Sequence, residues 1–246
     1  MSGRFPSLLR KFRILAHFCR ALLALVWVLV AAGALVAAEK PAAQTGAIEG
    51  TVTYRADTQR PWRYSRYYIK NAKTGELAEA VVALRGKTLA DAAPKHQPET
   101  ASIDQKNFQF TPETTLVRVG DSVTFTNSDD AIHNVRASVK IASFNVNMPP
   151  KGSHTIKCDK AGGVKDPIEV GCIFHSAMRA WVFVFDHPYY QLTGEDGRFR
   201  LEGIPPGSYD LEMRHPAGEL RWREKVTVRP GETLPVDIVV SPDEKD

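Results

Sequence analysis

Cysteine is scarce in this chain, with three residues among 246: Cys19, Cys158 and Cys172. Acidic residues are missing altogether from positions 1–38, where five basic ones stand: Arg4, Arg10, Lys11, Arg13 and Arg20. Setting those aside leaves 27 basic residues against 28 acidic ones, so the formal charge of +4 belongs to the N-terminal stretch. The basic pI therefore gives no ground for a nucleic-acid partner. Only one apolar run is long, Ala21 to Ala38, interrupted by Gly33 alone. A basic flank, an apolar run and the small residues Val36-Ala37-Ala38 predict a secretory signal peptide over 1–38, cut before Glu39. The same 18 residues nearly span a bilayer. A retained anchor would still leave the rest of the chain outside, because the basic flank stays cytoplasmic. Either way the expected location is the periplasm, with no membrane association beyond this segment. Cys19 lies in the basic flank and is read as a passenger. The remaining composition, 43% hydrophobic and 24% charged overall, is that of an ordinary globular protein.

Loss of the signal leaves two cysteines, and in an oxidising compartment two cysteines invite a disulfide. Cys172 also heads a different pattern. Gly171-Cys172-Ile173-Phe174-His175-Ser176-Ala177-Met178 offers a thiol, an imidazole and a thioether within seven residues. A second imidazole, His133, stands 39 residues upstream of Cys172. Two His, one Cys and a weak axial Met form the ligand set of a blue-copper electron-transfer site. Copper cycles between Cu(I), which prefers soft ligands, and Cu(II), which favours nitrogen donors; a thiolate and two imidazoles serve both. Ile168, Val170 and Cys172 alternate with Glu169 and Gly171, which predicts a strand with one buried face ending at Cys172. His175 and Met178 follow at intervals of three, so all three side chains can converge on one ion. The chain resumes as Trp181-Val182-Phe183-Val184-Phe185, an apolar run that predicts a buried strand. The disulfide and the copper thiolate exclude each other. In the copper reading Cys158 is a small buried apolar residue.

C-x2-H-x2-M after a strand, with His133-Asn134 upstream, resembles the cupredoxins, and the short ligand loop is most similar to the amicyanin type. The resemblance covers about residues 102–187. Its pieces stand in order: Asn107-Phe108-Gln109-Phe110-Thr111-Pro112, Val117 to Asn127, His133-Asn134 and the loop. One departure is Ile173-Phe174, where amicyanin-like loops carry a smaller residue and a proline. The resemblance implies a Greek-key β-sandwich with one copper ion near one end, held by His133, Cys172, His175 and Met178. It implies that Asn134 supports the site by hydrogen-bonding across to the Cys172 loop. It also implies that electrons pass through the exposed edge of His175. Redox partners of the family's kind are a periplasmic dehydrogenase or a c-type cytochrome; amicyanin-like proteins serve methylamine dehydrogenase.

Other stretches frame this segment. Asn127-Ser128-Asp129-Asp130 is a turn cluster that delivers His133. Val123 and Phe125 alternate toward the core, and His154, Ile156 and Cys158 suggest another inward-facing strand, with His154 structural. Residues 144–152 read as a connection and 87–101 as a linker. His96, His187 and His215 join no convergent pattern and read as surface or packing residues. Ile48, Gly50, Val52 and Tyr54 alternate as a half-buried strand, and Ala80 to Leu84 form an apolar one. Between them, residues 55–70 are rich in Arg and aromatics. They could form a binding surface with cation–π pairs or a polar edge strand or loop.

The C-terminal part carries Gly197-Arg198-Phe199-Arg200-Leu201 and then Pro205-Pro206-Gly207-Ser208-Tyr209-Asp210-Leu211. This resembles the carboxypeptidase regulatory-like, or transthyretin-like, sandwich, whose usual opening strands match 49–54 and 80–84. The expected fold is therefore all-β: a Greek-key cupredoxin sandwich over 102–187, inserted into a transthyretin-like sandwich made from 46–90 and 188–241. The alternative is an N-terminal hairpin that extends the cupredoxin sheet. The expected function is single-electron carriage by a type 1 copper protein rather than enzymatic catalysis. Nucleophilic catalysis by Cys172 with His175 as base would leave Met178 and His133-Asn134 unexplained, and Met is a poor ligand for zinc. Copper storage or delivery, and a cell-envelope binding module with structural copper, stand as alternatives.

Overall fold

A computed structural model describes residues 44–55, 69, 71, 73–216 and 220–241. The signal segment 1–38, Cys19 and most of the Arg-rich stretch 55–70 lie outside the described residues. What is described is nearly all β. In chain order the strands are β1 (Gly46–Tyr54), β2 (Val81–Arg85), β3 (Thr100–Lys106), β4 (Gln109–Thr111), β5 (Thr114–Arg118) and β6 (Ser122–Asn127). They continue as β7 (His133–Val139), β8 (Ala142–Met148), β9 (Ser153–Lys157), β10 (Ile168–Gly171) and β11 (Arg179–Phe185). The last are β12 (Tyr190–Leu192), β13 (Arg198–Ile204), β14 (Gly207–Arg214), β15 (Arg221–Val228), β16 (Thr233–Pro235) and β17 (Ile238–Val240).

Strands β3 to β11 pair among themselves. One sheet runs β5-β11-β10-β7-β8 and the other β4-β3-β6-β9. Their alternating inward residues close one core, with Ile103 and Phe125 from one sheet against Val135, Val170, Val182 and Val184 from the other. Cys172 and Met178 belong to this core, which places the ligand loop at its end. The remaining strands form two further sheets, β12-β2-β14-β15 and β13-β1-β16, with β17 also on β1. Ile48, Val52, Leu84, Phe199, Leu211 and Ile238 meet in a second core between them. Among the described residues, β1 pairs with β13, β16 and β17 and bridges to Glu76, and with no strand between 100 and 185.

Two strands are buried on both faces. Val182 and Val184 of β11 point into the first core, whereas Phe183 and Phe185 pack with Val81 and Ala83 of β2. Val82 and Leu84 of β2 point the other way, into the second core. This is why both segments are unbroken apolar runs instead of alternating ones. Arg214 of β14 crosses the same junction: its Nη1 donates to the carbonyl of Lys165 at 2.9 Å.

Two expectations are corrected. Residues 87–101 are not a bare linker, because a one-turn helix, α1 (Leu89–Ala92), buries Leu89 in the second core and β3 begins at Thr100. Most of residues 144–152 lies in β8, where Ala142 to Met148 pair antiparallel with β7. Phe144 and Val146 pack against the first core, which the nearby Pro149-Pro150 obscures in sequence.

Candidate metal centre

Asn127, the last residue of β6, builds the turn that delivers His133. Its side-chain amide donates to the carbonyls of Ala131 at 2.9 Å and Met148 at 2.8 Å. Its Oδ1 accepts the amide of Asp129 at 3.0 Å, an Asx turn. His133 then opens β7 opposite Met148, fully buried. The Cys172 loop is closed by its own backbone: the Met178 amide donates to the His175 carbonyl at 3.0 Å, and the Cys172 amide to the Met178 carbonyl at 3.3 Å. β10 and β11 pair directly on either side, Gly171 opposite Arg179, and so fix the loop's two ends.

This construction brings three of the predicted donors together. Nδ1 of His133 and Nδ1 of His175 lie 3.1 Å apart, and Cys172 Sγ lies 3.7 Å from His175 Nδ1. One ligand atom from each residue falls within 4.8 Å of the others. Metal bonds to imidazole and thiolate run about 2.0–2.3 Å, so a single ion reaches all three. The donor set, two imidazole nitrogens and one thiolate sulfur, suits a soft or borderline transition metal. Met178 is buried in the same core as Cys172. Cys158 and Cys172 are both free thiols, so the disulfide between them that would remove the thiolate is not formed. Burial first, then the neighbouring Asp121 and Asp159 carboxylates, push the Cys158 thiol up to about 11, which keeps it protonated and inert.

Asn134 does not do what was expected of it. Its side-chain amide donates to Asn145 Oδ1 at 2.9 Å, Val146 O at 3.1 Å and Asn147 Oδ1 at 3.1 Å, all on β8. It ties β7 to its neighbour instead of reaching the Cys172 loop. The support for His133 comes from Asp129, which the sequence reading used only as a turn residue. Asp129 Oδ2 accepts from His133 Nε2 at 2.8 Å. A carboxylate on Nε2 holds the tautomer whose Nδ1 lone pair faces the other donors. Burial works to raise the Asp129 carboxyl, but hydrogen bonds from the Phe108 amide, His133 and the Asn107 amide outweigh it and hold the group below the usual carboxylate range.

Phe108 is the other residue missed. Its ring stands edge-on to His133, centroids 5.3 Å apart, and to His175, 4.9 Å apart. Around the centre, Phe108, Ile132, Ile173 and Phe174 are exposed apolar side chains. Of the histidines left over, His96 pairs with Asp121 at 2.6 Å, while His187 and His215 are buried. His154 packs against Phe144 in β8, centroids 6.0 Å apart, a structural place as expected.

Comparison with curated proteins gives no match. Among solved structures, amicyanin from Paracoccus versutus is 18% identical with a TM-score of 0.31, over 42% of this chain and 96% of that one. A purple cupredoxin from Nitrosopumilus maritimus is 22% identical with a TM-score of 0.30, over 34% of this chain and 98% of its own. A copper-containing nitrite reductase from Thermus scotoductus is 19% identical with a TM-score of 0.32, over 38% of this chain and 23% of the enzyme. In sequence, residues 179–241 match the carboxypeptidase regulatory-like domain, so the C-terminal segment of the chain is similar to that family.

Proposed function

We propose that the protein is a periplasmic type 1 copper protein that carries single electrons between redox partners. The observation that carries this reading is the convergence of His133 Nδ1, His175 Nδ1 and Cys172 Sγ within 4.8 Å at the end of a closed apolar core. His133, Cys172 and His175 would hold the ion, with the Met178 thioether as the weak fourth ligand. Copper bound there would supply a one-electron Cu(II)/Cu(I) couple.

The chain's own residues favour electron passage over chemistry on a substrate. The pleated walls of β7, β10 and β11 fix the donors, which limits rearrangement between oxidation states. Burial of His133 and Cys172 favours retention of a metal over rapid handover to an acceptor. The exposed apolar rim of Phe108, Ile132, Ile173 and Phe174 fits brief contact with a redox protein, such as a dehydrogenase or a c-type cytochrome, through a small interface.

The test is a visible absorption titration with Cu(II), run beside Cys172→Ser. The expected result is an intense thiolate-to-copper band that ascorbate bleaches and the variant lacks. A wild-type protein that binds Cu(II) without that band would overturn the reading.

A further inference from the structure

The centre has one wall that belongs to none of the proposed ligands. β3 turns into β4 through Asn107 and Phe108, at φ +53° and +60°. Two successive left-handed residues make the mirror-image hairpin turn that matches the twist of its strands, and its second position favours glycine. A bulky aromatic there is strained. Asp129 holds the strain in place: its carboxylate accepts the Asn107 amide at 2.7 Å and the Phe108 amide at 2.9 Å. The oxygen that takes the Phe108 amide, Oδ2, also takes His133 Nε2. One carboxylate therefore sets both the turn and the imidazole.

The consequence is geometric. The rings of Phe108, His133 and His175 form a nearly equilateral triangle with sides of 5.3, 4.9 and 5.0 Å. His133 is fully buried while Phe108 is 52% exposed, so this ring stands between His133 and solvent and covers one side of the half-buried His175. A glycine would suit the turn better, and the strained phenylalanine places a shield over two of the three donors.

We propose that Phe108 is a cap that bars small anions and solvent from the metal centre, and that Asp129 is the positioning residue that locks the cap and His133 together. This deepens the electron-transfer reading and rests on it. A capped centre changes oxidation state without taking an added ligand; an uncapped one offers a free position to azide and similar anions.

The test uses the Cu(II)-loaded full chain as wild type, Phe108→Gly, Phe108→Tyr and Asp129→Ala, each titrated with azide and read by absorption and electron paramagnetic resonance. Glycine fits the turn's φ, so Phe108→Gly keeps the hairpin and removes only the ring. Phe108→Gly and Asp129→Ala are expected to give azide-dependent spectra at concentrations at least about tenfold lower than wild type, equivalent to about 1.4 kcal/mol of shielding. Phe108→Tyr should stay closed. In the metal-free protein, imidazole proton resonances of His133 and His175 should carry a ring-current shift that Phe108→Gly abolishes. Equal azide responses in all four proteins, with Cu(II) bound, would overturn the cap and leave the metal reading intact. A wild type that takes no Cu(II) would remove the metal reading, and the cap with it.

Discussion

His215 is enclosed in the turn after β14, with no exposed surface. Burial drives its pKa down to about 4, against an ordinary value of 6.5. The folded protein therefore keeps this imidazole neutral where the unfolded chain protonates it. Its contribution to stability is complete above pH 6.5 and is lost as pH falls from there toward 4. A difference of that size is worth at most about 3 kcal/mol. Metal-free protein unfolded in urea between pH 7.5 and 4.5 should lose stability on that order, and His215→Leu should lose markedly less over the same range. Parallel curves for the two proteins would count against it. The same scale shows what sequence discloses about a site. Cys172 and His175 stand three apart in one loop, so their convergence is legible without the fold. Asp129 and Phe108 are not legible as site residues. Asp129 sits in a run of turn formers that explains it already, and Phe108 reaches the imidazoles only because β3 and β4 bring their hairpin across from the other sheet.

Among the elements, β1 carries the tightest constraint. A Cβ on Gly50 would lie 1.8 Å from the carbonyl oxygen of Val236, where the chain passes from β16 to β17 beside β1. The amide of Val236 donates to Glu49 at 2.8 Å, so this close approach is hydrogen-bonded in place. Backbone cannot yield as a flexible side chain would. Gly50→Ala is expected to destabilise the fold by about 3 kcal/mol, against about 1 kcal/mol or less for Thr51→Ala next to it. Denaturant midpoints of the two variants decide the matter, and equal losses would show that the strand shifts to accommodate the methyl. Alternation made β1 legible as a half-buried strand, but nothing in its own residues names β16 and β17 as neighbours. The apolar runs of β2 and β11 likewise signal burial on two faces without saying what lies on the second. Their partners are each other, about a hundred residues apart in sequence. Leu89 was hidden for the opposite reason, being a single apolar residue in a stretch full of small and polar ones.

For the whole molecule, the layer of Val81, Ala83, Phe183 and Phe185 decides whether the two cores unfold as one. Phe183 is fully buried there. Phe183→Ala should cost about 3–5 kcal/mol and, more tellingly, split one calorimetric transition into two, because each sandwich keeps its own core. A single transition, merely shifted down, would mean that the junction is held by other contacts such as those of Arg214.

The long reach of β1 sets a timetable for the growing chain. Its residues leave the ribosome early, yet its partners in β17 arrive last: the Thr51 amide bonds Asp237 across 186 residues. At about 5–20 residues per second, that interval is about 10–40 s. Once β11 is made, β3 to β11 have all their sheet partners and can close, while β1 still lacks β13, β16 and β17 and β2 still lacks β12 and β14. The sheets begun first are thus completed last, and nascent chains stopped before β16 would carry β3 to β11 fully paired beside a β1 that lacks β16 and β17.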